Sequence, residues 1–157
     1  ISLQFMTGRE DKKENDLFFL CSLIDYIGRK TKNYRSTVVN ALGEKELRHI
    51  YDYADVYHCE NIDKVTDELI EKHHIKDGYF DNIASARYAV PSHWDIGKVY
   101  QRLILDVVHS TDGDIINTTM VIYNSWISRK TDNYNSSMYY ENPAYLFESY
   151  KAGAVLA

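Results

Sequence analysis

The run Asp16-Leu17-Phe18-Phe19-Leu20-Cys21-Ser22-Leu23-Ile24-Asp25-Tyr26-Ile27-Gly28-Arg29-Lys30 constrains this chain more than any other segment. Leu17, Leu20, Leu23, Ile24 and Ile27 recur every three to four residues, the spacing of one helix face, and Phe18, Phe19 and Tyr26 widen the stripe. Asn15 or Asp16 can cap the first free N–H groups, and Gly28 with Arg29, Lys30 and Lys32 closes the run where positive charge suits a helix C-terminus. The spacing predicts a helix over 15–31. The same grammar predicts helices over 35–42, 45–57, 62–74, 93–109 and 114–130. Gly43 stops the second, Asn61 caps the fourth, and Ser92 with Asp95 makes a capping box for the fifth. Asn142-Pro143 opens a last short helix that Lys151-Ala152-Gly153 ends. The expected fold class is all-α, a compact bundle of about six to seven helices.

Ile1-Ser2-Leu3-Gln4-Phe5 alternates like a strand, so residues 1–14 are expected to be a mobile tail or the remnant of an upstream segment. Residues 15–157 are expected to be one helical domain with submodules 15–78 and 79–157. Tyr79, Phe80, Ile83, Tyr88 and Val90 predict a connection that docks on the core through apolar side chains, and the polar stretch 133–141 reads as a loop. Only two prolines and seven glycines punctuate 157 residues, which suits helices and argues against a many-turned β-sandwich.

The net charge of −5 weighs against global attraction to nucleic acid or anionic membranes. Neither half is basic: 12 basic side chains face 15 acidic ones in residues 1–78, and 6 face 8 in the remainder. The expected location is the cytoplasm: no apolar run approaches the ~18–20 residues a membrane span needs, and Cys21 and Cys59 lack a paired-motif spacing and read as reduced thiols.

Four kinds of chemistry can be weighed on the residues. Arg29, Lys30, Lys32 and Arg35, with Tyr34 and Asn40, cluster at a helix-turn-helix-like corner and could meet phosphates, but Asp25, Glu44 and Glu46 lie close in sequence. DNA binding is therefore the alternative reading, and these charges otherwise complement a helix end. His49, His58, Cys59, His73 and His74 show no metal-ligand spacing, so no metal or other cofactor is expected. Nine residues separate Arg48 from His58, too many for a helical ribonuclease motif. His93 near Asp95 and Arg102 near Asp106 read as cap and surface pairs, so an uncharacterised helical enzyme with side chains converging from distant positions is a further alternative, with no catalytic residue to assign. Fourteen tyrosines are the last feature. Tyr134, Tyr139, Tyr140, Tyr145 and Tyr150 crowd the C-terminal stretch with Met138 and Phe147. Tyrosine offers large contact area at low rotamer cost, so this group reads as a partner-binding face, with clamping of the last helix as its structural alternative.

Three stretches also resemble known sequences. Residues 16–58, with Phe19-Leu20-Cys21-Ser22-Leu23-Ile24, Thr37-Val38-Val39-Asn40-Ala41-Leu42-Gly43, Ile50-Tyr51 and Val56-Tyr57-His58, are similar to a small helical domain of unknown function found in Clostridia and related gut Firmicutes. Pro91-Ser92-His93-Trp94-Asp95-Ile96-Gly97-Lys98-Val99-Tyr100 and Tyr123-Asn124-Ser125-Trp126-Ile127 resemble the longer proteins that carry it. Such proteins tend to be encoded near, or fused to, a domain like the ADP-ribosyltransferase toxins. The resemblance thus implies a non-enzymatic regulatory protein, an antitoxin-like partner of a toxin-like enzyme. It implies no catalytic residues.

Overall fold

A computed structural model describes residues 2–156, with side chains from residue 12 onward. Among the described residues the chain forms eight α-helices, one short 3-10 turn and no strand. The helices are α1 (Ser2–Thr31), α2 (Arg35–Asp52), α3 (Ala54–His58), α4 (Ile62–His73), α5 (His93–Thr111), α6 (Ile115–Tyr123), α7 (Trp126–Thr131) and α8 (Pro143–Ala152), with the 3-10 turn at Met138–Tyr140. No described helix is long and apolar enough to cross a membrane.

The C-terminal half of α1 is the axis. Leu17, Leu20, Leu23, Ile24 and Ile27 are fully buried, and so are Cys21 at the edge of that stripe and Ser22 on another face. Burial nearly all round explains why this run is apolar beyond a single stripe. Burial also pushes the Cys21 thiol up to about 12, so it behaves as a small core hydrophobe. α5 and α2 flank α1, α6 packs on both of them, and α8 lies against α5. One hydrophobic cluster runs from Leu17 through Ile104 to Leu146. The α1–α5 approach depends on small side chains: a Cβ on Gly97 would stand 2.1 Å from Ser22 Oγ and 2.9 Å from Ser22 N.

The caps read from sequence are present. Asn61 Oδ1 accepts from Asp63 N at 2.8 Å, Ser92 and Asp95 exchange both capping-box bonds, and Asn142 Oδ1 accepts from Ala144 N. Gly43 has φ 77° and ψ 166°, a non-helical kink inside α2, so the expected stop is a bend between two helical runs rather than a gap. Three expectations need correction. The strand-like stretch belongs to α1 over Ser2–Phe5, and Ile1 lies outside the described residues; an isolated strand has no ladder to join. The helix expected over 114–130 divides into α6 and α7. Asn124 Nδ2 donates to Met120 O at 2.8 Å and Ser125 Oγ donates to Ile122 O at 2.6 Å, so side chains occupy acceptors at the helix end. The connection after α4 docks through polar groups more than apolar ones: Tyr79, Tyr88, Val90 and Ile83 are exposed. Gly78 N and Phe80 N donate to Thr31 O and Lys32 O, Asn82 Nδ2 donates to Asp132 O, and Arg87 N donates to Asn135 Oδ1.

Candidate functional site

Two sets of residues that the sequence places on different surfaces meet in one interior cluster. Arg35, at the first turn of α2, is only 3% exposed. Its Nε donates to Asp25 Oδ1 at 2.6 Å, its Nη1 to Asp132 Oδ1 at 2.6 Å, and its Nη2 to Tyr134 OH at 2.8 Å. Arg29, one turn after Asp25 on α1, donates to Asp25 Oδ2 at 2.6 Å, to Pro91 O at 2.6 Å and to Tyr134 OH at 3.1 Å. Tyr100, on α5, hydrogen-bonds Ser128 and Thr131 beside it. Burial opposes the Arg35 charge, but Tyr100, Asp25, Tyr134 and Asp132 outweigh it and hold the guanidinium protonated. Burial raises the Asp132 carboxyl in spite of Arg35 and Arg129 nearby.

These positions correct one residue in each site reading, since Arg35 and Tyr134 are both buried. Arg35 is interior, and Arg29 is committed to Asp25 and Pro91. Lys30 pairs with Asp67 at 2.7 Å and Asp63 at 3.4 Å, and Lys32 lies 3.8 Å from Asp81. Each basic group of the corner thus has a carboxylate within 4 Å, although Lys30 and Lys32 remain exposed. Tyr34 is stacked between Phe80 and the Arg129 guanidinium, and Asn40 exchanges amide hydrogen bonds with Asn124. Tyr134, expected on the partner face, is 3% exposed and serves as the phenol both arginines bind.

The remaining late tyrosines divide. Tyr145 and Tyr150 are half-buried against the core, and Tyr145 OH donates to Leu156 O at 2.8 Å, so these rings clamp α8 and the chain after it. Tyr139 and Tyr140 do something else. Tyr134 meets Tyr139 edge-on at 5.5 Å, and Tyr139 meets Tyr140 edge-on at 4.9 Å. The ladder leads from the buried arginines to Tyr140, which is 68% exposed. Tyr139 and Tyr140 wall a cleft of about 310 Å³ between α5 and α8. Val99, Leu103, Pro143 and Leu146 make its apolar part, and Asp95, Lys98, Arg102 and Glu141 also line it.

A second concavity, which no sequence spacing signals, lies between α2 and α4. Glu46 is 6% exposed, and its Oε1 accepts from Lys72 Nζ at 2.8 Å and contacts His73 Nε2 at 2.7 Å. Burial pushes the Glu46 carboxyl up, but the hydrogen bonds from Lys72 and His73 prevail and hold it below the usual range. His49 lines the same groove with its ring against Tyr53 and Tyr57. Among the described residues no group of three or more His, Cys, Asp or Glu could hold a metal ion. Arg48 and His58, weighed together as a catalytic pair, part company: Arg48 binds Glu44 and Asp114, and His58 packs edge-on against Phe19.

Comparison with family models, with curated proteins and with solved structures returns no match.

Proposed function

We propose that this chain is a non-enzymatic protein-interaction module whose partner seats an apolar side chain in the cleft beside Tyr139 and Tyr140. The observation behind this reading is the aromatic ladder. Tyr134 is pinned by two arginines, Tyr139 packs on Tyr134, and Tyr140 stands in solvent on that support. An exposed ring already held in place loses little freedom when a partner covers it, which favours its use as an anchor. The cleft volume, about 310 Å³, suits one or two partner side chains rather than a large ligand. Opposite charges around it offer polar contacts that orient without a strong net field.

The partner to test is the product of the neighbouring gene, the toxin-like enzyme that the resemblance implies. Co-expression followed by size exclusion should give a complex. Tyr140→Ala should weaken it by about 2 kcal/mol, roughly thirtyfold, as a central aromatic contact does. Tyr79→Ala, which removes a fully exposed ring elsewhere, should change nothing. Absence of a complex, or equal loss from both substitutions, ends this reading.

A further inference from the structure

The α2–α4 groove is separate from the tyrosine cleft and larger, with a volume of about 640 Å³. Beyond the Gly43 kink, α2 places Lys45, Arg48, His49 and Asp52 at i, i+3, i+4 and i+7, a stripe on one helix face. This stripe is ionic where a packed helix would be apolar. Lys72 and His73, from the last turn of α4, line the same space. Five of the seven ionisable side chains lining the groove are basic or imidazole, on a chain whose net charge is −5.

The basic groups are differently committed. Arg48 is held in position by Glu44 at 2.9 Å and Asp114 at 3.0 Å. Lys45 and His49 have no hydrogen-bond or ion-pair partner among the described residues. Lys72 and His73 both reach the same oxygen of Glu46, so His73 keeps that buried carboxylate partnered if Lys72 turns away. Lys72 is 66% exposed and has the reach to do so. The groove thus joins a guanidinium positioned by two carboxylates, the unpartnered ammonium of Lys45, the exposed ammonium of Lys72 that pairs with Glu46, and the imidazole of His49.

We propose that this groove binds a compact phosphate-bearing small molecule, a phosphate monoester or diphosphate, through Lys45, Arg48, His49 and Lys72. A guanidinium fork and ammonium point charges are the groups that bind phosphate oxygens. The volume is that of a small-ligand site. Exposed carboxylates at Glu44, Glu68 and Glu71 lie on the same two helices outside the groove lining, and Asp52 ends the stripe itself. A long polyanion would run out over these, whereas a small one stays within the stripe.

Calorimetric titration with pyrophosphate at about 25 mM salt, where surface charge is weakly screened, tests this. One saturable site is expected. The double variant Lys45→Ala with Lys72→Ala should bind at least about tenfold more weakly, with an unchanged circular-dichroism spectrum. Lys130→Ala, an exposed lysine elsewhere, should bind like the parent chain. A single-stranded RNA of about 12 nucleotides, long enough to fill an extended single-strand site, should bind no more tightly than pyrophosphate. No saturable heat up to about 10 mM pyrophosphate, a weak-binding ceiling, would overturn the proposal. So would equal affinity in the double variant, or tighter binding of RNA. The Tyr140→Ala variant should keep full pyrophosphate affinity, so this result and that of the partner test stand apart.

Discussion

Asp25 and Glu46 are both buried carboxylates, 2% and 6% exposed, and each has two basic partners. Their surroundings make them opposites. The partners of Asp25 are themselves enclosed, with side-chain exposures of 17% for Arg29 and 3% for Arg35, and they go on to bind Tyr134, Asp132 and Pro91. Of the partners of Glu46, His73 is half-buried at 19% but Lys72 lies at the surface at 66%. An ion pair whose cation is shut in is part of the framework; one whose cation faces water leaves that cation available. The first ties α1 and α2 to the segment after α7, and the second lines a groove.

The largest effect should come from breaking the enclosed cluster. Arg35→Ala leaves Asp25 and Asp132 without their shared partner, with only Arg29 on Asp25 and Arg129 near Asp132 to compensate. Removing one side of a buried pair typically costs ~3–5 kcal/mol, which in a chain of this length lowers Tm by on the order of 10 °C. Arg35→Lys should recover little, because an ammonium cannot span two carboxylates and a phenol in one plane. Thermal and urea denaturation measure both. A loss below ~1 kcal/mol for Arg35→Ala would show that water, rather than the protein, surrounds this cluster.

Glu46→Gln should cost less, about 1 kcal/mol, because one of the two partners is largely solvated. Its pH dependence is the sharper test. The folded chain holds Glu46 below its ordinary value of 4.5, so its stabilisation is present above that pH and is lost as the pH falls through the lower folded value. Asp132 runs the other way. Its folded value is raised above 3.8, so its contribution is full below that pH and fades as the pH rises through the folded value. Urea midpoints measured from pH 6.5 down to pH 3 should therefore converge for Glu46→Gln and the parent chain at the acid end. A gap that stays constant to the lowest pH would mean that Glu46 acts through shape and not charge.

The difference between the two clusters also marks how far the sequence could be read. Helix positions were legible because capping chemistry is local: Asn61, Ser92 with Asp95, and Asn142-Pro143 each act within a few residues. The division of α6 from α7 was hidden, since Ile115 through Ile127 keep helical spacing across the break and only the side-chain bonds of Asn124 and Ser125 reveal it. The arginine cluster was hidden for a related reason. Arg29 and Arg35 look like a basic corner until tertiary contact brings up Asp132 and Tyr134, which lie 97 and 99 residues after Arg35. One signal was present: Asp25 interrupts an otherwise apolar run that is buried nearly all round, and a charge there needs a partner. The groove was hidden because folding brings Lys45, Arg48 and His49 of α2 into one lining with Lys72 and His73 of α4, and no spacing rule connects those residues.

Lys45→Ala should have the smallest effect on the fold. Lys45 is exposed and has no charged partner among the described residues, so its removal should change stability by less than ~0.5 kcal/mol, as for an ordinary surface site. That near-silence is informative only beside Arg35→Ala. If the two clusters differ as their geometry says, a basic residue of the enclosed cluster is needed for folding, and one of the open groove is dispensable to it. A substantial loss from Lys45→Ala, measured by urea denaturation, would mean that the groove cations brace α2 against α4. The open site would then be a second framework cluster, and its basic residues would no longer be available to a ligand.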